Sequence, residues 1–256
     1  MEFYIYRILY IKNVNDIFKA VIGGIALFTR FPVKTDKEGF HALAENIFVF
    51  PLIGVLIGFL VGMFSTFISQ ITLLEGIYPL AVIFFLYILT GLIHIDGLAD
   101  LFDGLMAHGN IDAMKDTNIG IGALFSLIFY LLALYVSIEN IIGLNLVVIF
   151  IFAEILAKIS MVNLASLGRS IHEGMGSLFI DRISYRDIFL SYLFILPFLY
   201  LWGVKTLIYI APVILADLVI LLICNKNFGG INGDVLGAGN EIGRLLVLMV
   251  IGCIPF

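Results

Sequence analysis

Three aspartates stand at helical spacing in the segment 94–104 (HIDGLADLFDG), directly after a long apolar stretch. Asp96, Asp100 and Asp103 occupy positions i, i+4 and i+7, so a helix places their carboxylates on one narrow face. Like charges this close repel strongly beside a membrane boundary unless a cation lies between them. Oxygen-only ligands favour Mg²⁺ or Mn²⁺ over zinc. The spacing predicts a metal site, and the alternative interpretation is a solvated polar helix end.

Two other clusters carry groups that suit a phosphate. In the segment 114–120 (MKDTNIG), Asp116 is either a helix cap or a further acidic ligand, and Lys115 is either a membrane anchor or a phosphate contact. Arg169 and Arg182 flank a polar loop and suit bidentate phosphate recognition. The preference of basic residues for the cytoplasmic side explains both arginines equally well.

A glycine-rich segment, 229–241 (GGINGDVLGAGNE), is predicted to be a loop. Asp234 and Glu241 in this loop are candidates to complete a metal shell or to orient a hydroxyl nucleophile. Candidate phosphate contacts here are Asn232, Gly233 and Asn240. The alternative interpretation is an ordinary flexible turn. The single histidine beside the aspartates, His94, is more typical of a packed or supporting residue than of a metal ligand.

The composition indicates a membrane protein. Of 256 residues, 62% are apolar and 13% are charged, against about 45–50% and about 25% in soluble domains. The net charge of -5, without a basic run, excludes a nucleic-acid partner. Without internal repeats or linkers, residues 1–256 are predicted to form one integral-membrane catalytic domain.

Apolar runs long enough to cross a bilayer predict an all-α, polytopic bundle of about seven transmembrane helices. The predicted spans are 47–72, 77–95, 120–138, 141–163, 187–203, 206–224 and 242–256. The segment 17–31 is predicted to be an interfacial helix at the N-terminus.

The distribution of basic residues predicts the orientation of these spans. Alternate threading places every loop lysine and arginine except Lys205 on one side, which should be the cytoplasm. The polar loops 96–118, 165–186 and 225–241 fall on that same side. We therefore expect a multi-pass protein of the cell membrane with its active site facing the cytoplasm.

Six separated motifs resemble one family, the cobalamin synthases, also called adenosylcobinamide-GDP ribazoletransferases. In chain order they are FTRFP (28–32), FPLIG (50–54), HIDGLADLFDGL (94–105), MKDTNIG (114–120), EGMGSLFI (173–180) and GGINGDVLGAGNEIG (229–243). The match runs through most of the chain, and six motifs in the family's order are far more specific than aspartate spacing alone.

The resemblance implies an activity. A hydroxyl of α-ribazole, or of its 5′-phosphate, attacks the cobinamide-linked phosphorus of adenosylcobinamide-GDP, expels GMP and completes the nucleotide loop of adenosylcobalamin. It also implies Mg²⁺ dependence, with Asp96, Asp100, Asp103 and Asp116 as catalytic metal ligands and Asp234 as a further ligand or base. The lower-ligand base, the number of ions and the oligomeric state, a homo-oligomer included, stay open.

The sequence departs from the family's pattern at two places. Thr117 and Asn118 replace a serine and an arginine, so an arginine contact to phosphate has to come from Arg169, Arg182 or Lys115 if it is needed. Leu92 replaces a glycine.

Two other functions are alternatives to this activity. The first is that of a CDP-alcohol phosphotransferase, whose alanine-arginine pair after the second aspartate is missing. The second is a cation transporter, whose site should lie nearer the membrane midplane.

Overall fold

A computed structural model describes residues 14–71, 76–114, 118–171 and 174–255, without the side chain of Ala113. These residues form helices joined by short turns, and within them no strand occurs beyond one isolated bridge between Ser170 and Ile231. The helices are α1 (Val14–Phe28), α2 (Lys37–Ala44), α3 (Val49–Ser69), α4 (Tyr78–Thr90), α5 (Ile93–Met106), α6 (Ile111–Met114), α7 (Ile121–Asn140), α8 (Leu146–Leu167), α9 (Met175–Ile180), α10 (Tyr185–Leu193), α11 (Leu196–Trp202), α12 (Lys205–Phe228) and α13 (Gly233–Cys253).

Five helices of the described chain are long and apolar enough to cross a membrane: α3, α7, α8, α12 and α13, with 20 to 24 residues each. About 20 apolar residues span the hydrocarbon layer. The pair α4 and α5 raises the number to six if it counts as one bent span. The all-α polytopic membrane bundle predicted from composition is confirmed, with fewer long spans than the seven predicted.

The predicted span 77–95 is not continuous. It ends at Thr90, and α5 then leaves at 98° to α4. Gly91 forms the bend with φ 73°, a left-handed conformation that glycine adopts without steric cost. The bend turns the aspartate-bearing helix away from the direction of α4.

Two other boundaries differ from the prediction. The span 187–203 consists of α10 and α11, because Pro197 in the first turn of α11 cannot continue the hydrogen-bonding of a preceding helix. The two helices still run along α8, since Tyr192 bonds Asn163 and Phe198 contacts Phe152, about 16 Å apart along α8. The last span begins at Gly233, nine residues before the predicted start at 242.

The centre of the bundle is α8, most of whose residues are buried. Gly54, Gly58 and Gly62 recur every fourth residue along α3 and lie directly on the α8 backbone. A Cβ on Gly54 would lie 2.6 Å from the Glu154 carbonyl oxygen. Small residues at this spacing let two membrane helices pack backbone to backbone.

Candidate active site

The aspartate helix α5 forms one wall of a cavity of about 410 Å³. Asp96, Asp100 and Asp103 all line it, as the i, i+4, i+7 spacing predicts. The start of α7 and the end of the 111–119 segment form the facing wall, with apolar side chains such as Leu127. Carboxylates and apolar surface therefore meet in one pocket that is large enough for part of a sizeable ligand.

Asp103 is fixed in place by the first turn of α7. Its Oδ2 accepts a hydrogen bond from the Gly120 N–H at 2.8 Å, and its Oδ1 accepts one from the Ala123 N–H at 2.8 Å. These N–H groups would otherwise lack partners at a helix start. Asp103 thus joins α5 to α7, and its remaining lone pairs stay available for a further ligand.

Asp234 joins the cavity aspartates through a close helix crossing. A Cβ on Gly97 would lie 2.7 Å from the Asp234 carbonyl oxygen, so α5 and α13 touch at the backbone here. Asn232 caps α13 and donates from Nδ2 to the Asp234 carboxylate at 2.7 Å. Asp100 interacts electrostatically with Asp234, Asp96 and Asp103. The structure brings four carboxylates together, three along α5 and one in the first turn of α13.

The described residues contain no group of three or more histidine, cysteine or acidic side chains arranged closely enough to hold a metal ion as they stand. The aspartates nevertheless offer the oxygen donors that Mg²⁺ prefers, on one wall and with one sign of charge. Asp116 and Lys115, predicted as a metal ligand and a phosphate contact, lie outside the described residues.

Three predicted phosphate contacts lie together near Asp234. The Ile231 N–H donates to the Arg169 carbonyl oxygen at 2.8 Å, which joins the end of α8 to the 229–232 turn. Asn232 and Gly233 follow directly, and Gly233 packs on Gly176. Arg169 is exposed. This region provides an exposed arginine and a helix start close to Asp234.

Two other predicted contacts lie elsewhere. Arg182 is paired with Glu45 at 3.7 Å and does not line the cavity. Asn240 is fully buried within α13, because the predicted loop 225–241 is largely helical. Its side chain accepts a hydrogen bond from Lys158 and donates one to Glu241. Neither side chain is placed to contact a phosphate in the cavity.

A buried charge network lies deeper in the bundle and was missed by sequence reasoning. Arg244 pairs with Glu154 and, at 2.6 Å, with Glu241, while Lys158 donates to Asn240 at 2.6 Å. All four charged side chains are at most 1% exposed. Charged residues inside apolar spans are the signal that could have found it. Glu241, predicted at the cavity with Asp234, belongs to this network instead.

Tyrosines and His94 complete the network. The hydroxyls of Tyr87 and Tyr130 both donate to Glu241, at 2.8 and 2.6 Å. His94 is buried and stacks on Phe28 at 5.6 Å. The packed role predicted for His94 agrees with this position, which ties the start of α5 to α1.

The comparisons with known proteins decide the family. The family model described as cobalamin-5-phosphate synthase matches residues 20–252. The chain belongs to this family. The resemblance found from the six motifs is therefore confirmed, and with it the prediction of a nucleotide-loop-assembling enzyme rather than a CDP-alcohol phosphotransferase or a transporter.

Relatives of the cobalamin synthase family match along most of their length. The adenosylcobinamide-GDP ribazoletransferase of Methanococcoides burtonii is 33% identical over 235 residues, which cover 86% of each chain. Those of Clostridium tetani and Archaeoglobus fulgidus are each 33% identical, covering 88% and 87% of this chain and 93% and 92% of the relative. Among solved structures, none matches the chain.

Proposed function

We propose that this chain transfers the phosphocobinamide group of adenosylcobinamide-GDP to α-ribazole, or to its 5′-phosphate, and releases GMP. The family and the names of the relatives support this activity. The observation that links this activity to particular residues is the cavity, in which Asp96, Asp100 and Asp103 line one wall beside Asp234. Phosphoryl transfer needs positioned oxygens and neutralised charge more than covalent chemistry by the protein.

The donor set supports a divalent ion, Mg²⁺ or Mn²⁺, held by Asp96, Asp100 and Asp103. Asp116 joins them as a ligand on the strength of the resemblance. When bound, the ion would neutralise the diphosphate oxygens of the substrate. The protein's own part begins with Asp103, whose two hydrogen bonds to α7 fix its carboxylate before any ligand arrives.

Asp234 is our candidate for the base. A ribazole hydroxyl attacks the phosphorus that carries cobinamide, the bond between this phosphorus and the GMP oxygen breaks, and the hydroxyl proton passes to Asp234. GMP leaves with the electron pair of the broken bond. The hydrogen bond from Asn232 orients the Asp234 carboxylate for this step.

We place the site on the cytoplasmic side of the cell membrane. The basic loops that predict this orientation include Arg169, which lies at the same end of the bundle as Asp234. An Asp112→Cys variant, with both native cysteines replaced by serine, tests the placement. A membrane-impermeant thiol reagent should label it in inverted vesicles and not in right-side-out vesicles, and the reverse pattern would overturn the placement.

The activity is tested with purified protein in detergent. Adenosylcobinamide-GDP, α-ribazole and Mg²⁺ should give GMP and a complete corrinoid in equal amounts, and a chelator should stop both. Parallel reactions with α-ribazole 5′-phosphate establish which acceptor is used. Absence of both products with either acceptor would refute the proposed function, and full turnover in chelator would refute the metal.

A further inference from the structure

Arg30 is held in a defined position at the bend between α4 and α5. Its backbone N–H donates to the Leu89 carbonyl oxygen at 2.7 Å, which attaches the residue to the end of α4. Its guanidinium lies flat against Gly91, where a Cβ would come within 3.0 Å of Cζ and Nη2. The glycine therefore serves two purposes here, since it adopts φ 73° and leaves room for the guanidinium.

The bend leads directly into the aspartate cavity. Leu92, the residue after Gly91, lines the cavity, and its carbonyl oxygen accepts the Asp96 N–H at 2.9 Å. Arg30 is thus held beside the segment that lies one helical turn before Asp96. The 98° angle between α4 and α5 places the bend that Arg30 contacts directly before Leu92, where the cavity wall begins.

The guanidinium is exposed and has no carboxylate partner in the part of the chain that the structure describes. By contrast, Arg182, Arg186 and Arg244 each form an ion pair. A guanidinium presents a planar fork of donors that matches two phosphate oxygens at once. If the carboxylates hold an ion on one side of a diphosphate, an unpaired arginine beside them can bind the phosphate oxygens on its other side.

We propose that Arg30 binds the diphosphate of adenosylcobinamide-GDP at the edge of the aspartate cavity. The inference rests on the proposed function and adds a substrate-binding residue to it. The recognised chemistry is a phosphate, and a second source of phosphate lies nearby in the lipid headgroups. Substrate and lipid are separated by measuring binding both in a phosphate-free detergent and in a phospholipid bilayer.

The test measures binding of adenosylcobinamide-GDP to purified protein in dodecyl maltoside, a detergent without phosphate, by equilibrium dialysis with the visible absorbance of the corrin. Arg30→Ala should raise Kd about 10- to 100-fold, the loss expected for hydrogen bonds between charged groups. Arg30→Lys should lose less, because it keeps the charge without the fork. Lys34→Ala removes a nearby exposed cation and serves as the matched control, with Kd unchanged.

Two further measurements guard against a general loss of structure. Adenosylcobinamide, which lacks the GDP group, should bind wild type and Arg30→Ala equally. Arg30→Gln, which keeps a long polar side chain on Gly91 without the charge, should raise Kd for adenosylcobinamide-GDP as Arg30→Ala does. Equal weakening of both corrinoids by Arg30→Ala would mean a structural role and would overturn the inference.

The other outcomes are also decisive. A Kd for Arg30→Ala within about twofold of wild type refutes the inference while leaving the proposed function intact. An effect seen only in phospholipid nanodiscs, and not in the phosphate-free detergent, identifies a lipid phosphate as the partner and overturns it too. If wild type binds no adenosylcobinamide-GDP, the proposed function fails and the inference fails with it.

Discussion

The two charged regions of this bundle share α13 and are built in opposite ways. Asp234 lies in its first turn, with the cavity aspartates, whereas Arg244 lies about 15 Å further along, in the buried network. In the network two acids and two bases are buried: Arg244 pairs with both acids, and Lys158 is linked to Glu241 through Asn240. In the cavity the described aspartates are of one sign, and the residues that line it include no cation.

This difference separates a structural role from a binding role. Opposite charges that satisfy each other gain nothing from a ligand, so the network holds α8 and α13 together. Acidic groups collected without a positive partner keep their mutual repulsion until a cation or a positively bridged ligand arrives. The protein tolerates that repulsion where ligands bind and avoids it where helices pack.

The largest effect is expected in the network. Arg244→Met leaves Glu154 and Glu241 buried without their partner, which should lower the free energy of unfolding by about 3–5 kcal/mol. SDS titration of purified protein, followed by far-ultraviolet circular dichroism, measures it. Arg182→Met, which breaks only the exposed pair with Glu45, is the control and should unfold as wild type does. Equal stability of both variants would show that the network does not hold the bundle.

The next effect is expected in the cavity, on turnover rather than on stability. Asp100→Asn should slow GMP release by about 10²–10³-fold, the scale for loss of one preorganised electrostatic contact. Its unfolding should shift toward higher SDS, because repulsion from three neighbouring carboxylates is relieved. Asp112→Asn changes a nearby exposed aspartate and should keep both properties. Destabilisation by Asp100→Asn would remove the contrast between the two regions.

Asp103 has both a structural role and a binding role, so its variants should lose both stability and turnover. Asp103→Ala removes both acceptors from the start of α7 and should cost about 0.5–2 kcal/mol of stability, as loss of a helix cap does, in addition to turnover. Asp103→Asn keeps one acceptor and should unfold between Asp103→Ala and wild type. The same SDS titration ranks the three proteins, and an unfolding curve of Asp103→Ala identical to wild type would exclude the capping role.

The smallest effect is expected at the exposed pair of Lys19 and Glu38, which joins α1 to α2 at 2.7 Å. Solvent and salt screen such pairs, so Lys19→Ala should leave both unfolding and GMP release unchanged. Measured together with Arg244→Met, it sets the scale for paired charges inside and outside the bundle. If Lys19→Ala lost as much stability as Arg244→Met, burial would not determine how much an ion pair stabilises the protein.

The sequence predicted α3, α7 and α8 closely, because each is an apolar run between polar residues. It also predicted the common face of Asp96, Asp100 and Asp103, since spacing within one helix fixes it. The bend at Gly91 could not be predicted, because residues 77–95 form one apolar run. A proline does not by itself predict a helix break either: Pro197 stands at the break between α10 and α11, whereas Pro212 lies within the continuous helix α12.

The start of α13 was missed for a tertiary reason. Its glycines are typical of a loop, but Gly97 and Gly237 allow α5 and α13 to touch, and Gly243 packs on α8. The buried network was missed because two of its contacts, Arg244 with Glu154 and Lys158 with Asn240, join different helices, even though Glu154 and Lys158 were visible inside an apolar run. Which elements touch is set by the whole bundle and not by any one segment.

The pairing of α8 with the final helix constrains how the protein is made. Glu154 and Lys158 leave the ribosome well before Arg244 and Asn240, their partners in the finished bundle. Each charge costs about 2.5–3.5 kcal/mol when an insertion channel releases it at the centre of an isolated helix. During synthesis α8 therefore carries this cost until the C-terminal helix is made, and packing on α3 or shelter by the insertion machinery would lower it.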